Sequence, residues 1–118
     1  MKARQIITTL LKEWLELTHR ESHAIQMGRW SELARIQAAK AALQAPLTEA
    51  IERWKNENPA EAAGHPFRDE VNRLLALEAH NGELVAVRKR EVREKILLLE
   101  QALDDLCRFQ SSYVTAAA

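Results

Sequence analysis

From Phe67 to Tyr113 apolar residues return in a seven-residue rhythm. Phe67, Val71, Leu74, Val85, Val92, Leu99, Ala102, Leu106, Phe109 and Tyr113 share one heptad frame over almost 50 residues. A strand needs alternation at period two, which the chain nowhere sustains, so the frame predicts one long helix over about 66–112. At 1.5 Å per residue such a helix is about 70 Å long. The other a and d positions of the frame carry Glu78, Asn81, Arg88 and Lys95, a polar seam between two apolar ends. Asn81-Gly82 lies within that seam and offers a place for a bend.

Two further stripes precede it. Ile7, Leu10, Leu11, Trp14, Leu17, Ala24 and Ile25 recur at helical spacing from about residue 3 to 27. Leu33, Ile36, Leu43, Leu47, Ala50, Ile51 and Trp54 form the next, over about 31–56, with Lys40 interrupting it at an a position. A straight helix running from Ile7 to Leu33 would rotate its stripe by roughly 80°. A turn is therefore expected near Gly28 to Ser31, with Ser31 or the Gly28 region capping the second helix. Pro46 removes one backbone hydrogen bond inside the second stripe. Because Leu43, Leu47, Ala50 and Trp54 stay in phase across it, a kink is expected rather than a break. Residues 56–66 carry two prolines and a glycine without an apolar stripe and read as a loop. The fold class is all-α: an elongated antiparallel bundle of three or four long helices with coiled-coil-like packing, in one domain over residues 1–118. The last eight residues are weakly patterned and are expected to fray.

Several function classes drop out on composition. Seventeen Lys/Arg balance seventeen Asp/Glu, so the basic excess of a duplex-binding surface is missing and no nucleic-acid partner is expected. The longest aliphatic run, Ile96 to Leu99, is far below the roughly 20 apolar residues of a membrane span. The apolar stretch after Arg4 is cut short by Lys12 and Glu13, which favours a cytoplasmic protein over a secreted one. Cys107 is the single cysteine, so neither an internal disulfide nor a thiolate metal cluster can form; set among Leu103, Leu106 and Phe109, it reads as a packed, inert thiol.

Chemistry-bearing constellations are sparse. His19 and His23 stand at i and i+4, the spacing at which two imidazoles can share a metal ion, but Arg20-Glu21-Ser22 between them matches no metalloprotease pattern. No third ligand is placed by the sequence, and a surface pair is expected. Glu49 with Arg53, Glu91 with Lys95 and Asp104 with Arg108 read as i,i+4 ion pairs on wet faces. The run Arg88 to Lys95 holds five cations and two glutamates and reads as a solvated helix face. Trp14, Trp30 and Trp54 are assigned to core or rim packing. Neither an enzyme nor a cofactor is expected.

The stretch Leu11-x-x-x-Leu15-x-x-Thr18-x-x-Glu21-x-x-Ala24-Ile25-x-x-Gly28, continuing through Leu33, Ile36, Lys40 and Leu43, resembles the first half of the FlgN-type flagellar export chaperones. Arg29 stands where that family tends to carry an acidic residue. Leu74-Leu75-x-Leu77-Glu78-x-x-Asn81-Gly82-x-Leu84 resembles the family's Asn-containing segment near the start of its long last helix. The resemblance implies a small, all-helical cytosolic chaperone. Such a protein holds hook-associated, hook-filament junction subunits unassembled and delivers them to the flagellar type III export apparatus.

A chaperone of this kind needs an apolar surface for an amphipathic client helix. Ile96, Leu99, Leu103, Leu106 and Phe109, apolar at three- and four-residue spacing, are the expected partner-binding residues. The same residues could instead bury against the first two helices or against a second copy of the chain in a homo-oligomer. An alternative function is a structural coiled-coil stalk or assembly-linking protein. In that reading residues 3–57 form one helix paired with the last, and the polar seam sets the register.

Overall fold

The computed structural model describes residues 2–117, with side chains through Ser111. Four helices follow one another: α1 (Ala3–Met27), α2 (Trp30–Glu57), α3 (Pro59–Ala63) and α4 (Arg68–Ala117). No strand occurs among the described residues, so the chain is all-α. Contacts divide it into two units, Met1–Leu84 and Val85–Ala118, where a single domain was expected.

The first unit is built on a helical hairpin. α1 stops at Gly28, whose φ of 67° places it in the left-handed region that side chains other than glycine enter at a cost. The Gly28 N–H donates to the Ile25 carbonyl at 3.2 Å and the Arg29 N–H to the Ala24 carbonyl at 2.9 Å, the paired bonds of a Schellman ending. The chain then reverses. Trp30 already opens α2, so Ser31 lies inside the helix and Arg29 takes the N-cap position without a side-chain cap bond. Of the two expected capping positions, Ser31 and the Gly28 region, Ser31 is not the cap and the turn is made at Gly28. The continuous helix over 3–57 that a two-helix stalk would use is likewise interrupted here.

Low-numbered residues of α1 meet high-numbered residues of α2, as an antiparallel pair requires. Ala3, Ile7 and Leu11 cluster with Ala50, Trp54 and the α4 residue Leu74. Ile7 is 1% exposed, and burying an aliphatic side chain of this kind contributes roughly 1.5–3 kcal/mol. The Trp54 ring meets Phe67 edge-on, with centroids 5.2 Å apart and planes at 71°. Pro46 sits within α2, which runs unbroken from Trp30 to Glu57. Its exposed position leaves the apolar face on the other side in phase.

The segment expected to be a loop contains a short helix. Pro59 occupies the first turn of α3, where a missing N–H costs nothing, and Gly64 closes it after two alanines. Arg4 of α1 forms an ion pair with Glu61 there. α4 begins at Arg68, and its first four turns lie beside α1 in the same direction: Leu74 joins Leu11, and Glu78 and Asn81 reach Trp14, Thr18 and Glu21. Helical bonding continues through Asn81-Gly82 to Ala117, so no break occurs there. Apart from Ser111, the side chains of the tail expected to fray lie beyond those described.

The second unit consists of helix alone. From Lys89 to Ser111 every described residue is exposed. Cys107, expected to be packed, is exposed as well, because no described residue covers the face of α4 on which it lies.

Candidate functional site

Two features stand out, one in each unit. The first is a polar cluster in the seam of α1, α2 and α4. Lys40, 6% exposed, donates from Nζ to Glu21 Oε1 at 3.1 Å and pairs also with Glu78. Asn81 donates from Nδ2 to Glu21 Oε1 at 3.0 Å and to the Thr18 carbonyl at 2.9 Å. Glu78 Oε1 further accepts from Trp14 Nε1 at 3.0 Å, and the Thr18 hydroxyl lies 3.1 Å from it and 2.8 Å from the Trp14 carbonyl. The Lys40 ammonium stands 5.8 Å from the centre of the Trp14 ring. One cation therefore serves two carboxylates, and every ionised group has partners.

Burial alone would raise the Glu78 carboxyl above its ordinary value. The hydrogen bonds from Lys40, Trp14 and Thr18 and the Lys40 charge outweigh it, and the net shift is downward. Such a carboxyl stays ionised near neutral pH and acts as a fixed acceptor instead of a proton shuttle. The cluster can therefore lock the alignment of three helices, since slipping any of them by one turn would leave a buried charge unpaired. Among the described residues, two buried polar atoms lack a partner, Asn81 Oδ1 and Trp54 Nε1.

The second feature is the stripe on α4. Ile96, Leu99, Leu103, Leu106 and Phe109, the expected partner-binding residues, are 50–67% exposed. Leu97 and Leu98 are equally open. Four consecutive aliphatic residues on a helix point nearly all round it, so the apolar surface here is wider than one stripe.

Other candidate residues are placed plainly. His19 and His23 are both exposed on α1, and no group of three potential ligands comes together among the described residues. The surface ion pairs differ in detail from those expected: Arg53 approaches Glu57 at 3.9 Å instead of Glu49, and Glu91 meets Arg88 at 3.1 Å instead of Lys95. On a wet helix face three- and four-residue neighbours compete at similar small energies. Trp54 is buried, Trp14 half-buried and Trp30 exposed. No helix among the described residues is long and apolar enough to cross a membrane.

Reasoning from apolar spacing passed over Thr18 and Glu21, yet the pattern held a signal for them. Ile7, Leu11, Trp14, Thr18, Glu21 and Ile25 recur at alternating steps of four and three, so both polar residues sit in phase with a buried stripe. A polar residue at such a position calls for a buried partner, and Lys40, Glu78 and Asn81, in phase on their own helices, supply it. Comparison with protein-family profiles, with curated proteins and with solved structures gives no match in any of the three.

Proposed function

We propose that the chain is a flagellar export chaperone of the FlgN type. It receives an amphipathic helix of a hook-associated, hook-filament junction protein on Ile96, Leu99, Leu103, Leu106 and Phe109 and keeps that protein unassembled for the export apparatus. The observation that carries the reading is the exposure of all five residues in the free chain, together with Leu97 and Leu98. A contiguous apolar surface of this kind is unusual on a monomer and marks a partner site. The reading is also supported by the polar residues on which the resemblance rests: Thr18, Glu21, Lys40, Glu78 and Asn81 form one hydrogen-bonded cluster. The role calls for no catalytic group and no cofactor, and it places the protein in the cytoplasm.

The test is capture of hook-associated proteins from the lysate of a flagellated host, read by mass spectrometry, with Leu103→Glu as the control. Recovery of junction proteins by the parent chain and their loss with Leu103→Glu is the expected result. Equal recovery by both chains would move the contact off α4. Recovery of ring or stalk components alone would favour the structural coiled-coil reading, for which the register-setting Lys40 cluster is the supporting observation.

A further inference from the structure

The charge on the uncovered part of α4 is not evenly spread. Residues 88–95 carry five cations and two carboxylates, a net charge of +3, whereas residues 100–108 carry Glu100, Asp104 and Asp105 against Arg108, a net charge of −2. The apolar run Ile96 to Leu99 lies between them. A basic end, an apolar centre and an acidic end on one helix make a surface complementary to itself, provided the second helix runs the opposite way.

We infer that, in the absence of a client, two copies of the chain pair through residues 85–109 as an antiparallel coiled coil. A parallel, in-register pair sets Lys95 against Lys95 and Arg88 against Arg88 in the seam, and lays the basic stretch of one copy on that of the other. An antiparallel pair centred near Leu97 sets Lys95 opposite the second copy's Leu99, and Arg88 opposite its Leu106. There the aliphatic stems lie on apolar neighbours and the charged heads reach water. Val92 then meets Ala102, and each basic stretch runs beside an acidic one. With Val85 opposite the second copy's Phe109, the paired length is 25 residues, about three and a half heptads, enough for a stable coiled coil. One like-charge pair remains on the flank, Glu91 with the second copy's Asp105. The pairing covers the same stripe that a client helix would occupy, so a client has to displace the second copy. It does not depend on the client reading, since the purified chain alone suffices to produce it.

Sedimentation equilibrium of the full chain tests this. A reversible dimer is expected, with Leu99→Lys, which sets a second cation against Lys95 in the seam, weakening it at least tenfold. Glu91→Lys, which converts the flanking like pair into an opposite one, should tighten it severalfold, a gain that misfolding cannot imitate. Orientation is read with a flexible bismaleimide. Two copies of Cys107 stand about 30 Å apart along the axis of an antiparallel pair and do not link. In Ala86→Cys, the new thiol lies at the level of the second copy's Cys107 and links to it. A chain that stays monomeric at all concentrations, a Glu91→Lys variant with no tighter pairing, or Cys107–Cys107 as the main product would overturn the inference. Client capture by a strictly monomeric chain would defeat the pairing and leave the proposed function standing; a dimer that captures no junction protein would do the reverse.

Discussion

Residues 1–84 and residues 85–118 both carry heptad-spaced stripes and treat them in opposite ways. In the first region Glu21, Lys40 and Asn81 are buried at seam positions, while in the second Val92, Leu99 and Leu106 occupy the same kind of position and face water. Hydrophobicity therefore does not decide burial here. What decides it is whether a second surface of matching shape and charge is at hand: α1, α2 and the start of α4 supply one another with partners, whereas residues 89–111 are exposed among the described residues. Polar groups inside are tolerated because each charge is paired. Apolar groups outside persist as a surface to be covered.

The sharpest way to break the contrast is Lys40→Met, which strands Glu21 in a buried site. A loss of about 3–5 kcal/mol is expected in chemical denaturation, with much of it restored in Lys40→Met/Glu21→Gln, where the remaining amide still accepts from Asn81. Ile7→Ala follows, at about 2–5 kcal/mol, from lost burial plus the cavity left among Leu11, Ala50 and Trp54. Gly28→Ala forces a side chain into the left-handed region, and a loss of about 1–2 kcal/mol should appear as a lower melting temperature.

Glu78 gives the comparison a pH axis. Its carboxyl is lowered from 4.5 in the folded chain, so its contribution is complete above that value and is lost as the pH falls through the lowered one. Acid titration should therefore destabilise the parent below about pH 4.5 more steeply than Glu78→Gln. Equal acid profiles would remove Glu78 from the account. The smallest effect belongs to the second region: Leu103→Glu should change stability by less than about 0.5 kcal/mol and leave helical content intact, because the residue is already exposed. A larger loss, measured on dilute monomer, would place Leu103 in an internal core.

Much of the architecture was legible in the residues. The three long helices, the turn at Gly28 and the continuity of α2 through Pro46 follow from apolar phase and backbone chemistry, which act locally. The short helix α3 was hidden because a proline-glycine stretch announces a break, and its five residues are too few for a stripe. Cys107 was misjudged for another reason: apolar neighbours along a helix suggest packing only if some other element covers them. The polar cluster was half visible. Lys40, Glu78 and Asn81 stood out as interruptions of apolar frames, but spacing along single helices does not say which interruptions meet.

The sequence by itself determined the helical class and the stripes, since a period of three to four residues is a property of each segment alone. It also placed the five apolar residues of α4 on one side of a helix. Only the tertiary structure decided which stripes find partners, and with them that Lys40 is shared between Glu21 and Glu78 while Ile96, Leu99, Leu103, Leu106 and Phe109 stay open. Helix formation is set by neighbours in sequence. Burial is set by surfaces that meet in space, and the favourable pairing of a buried charge exists only once three helices have been brought together.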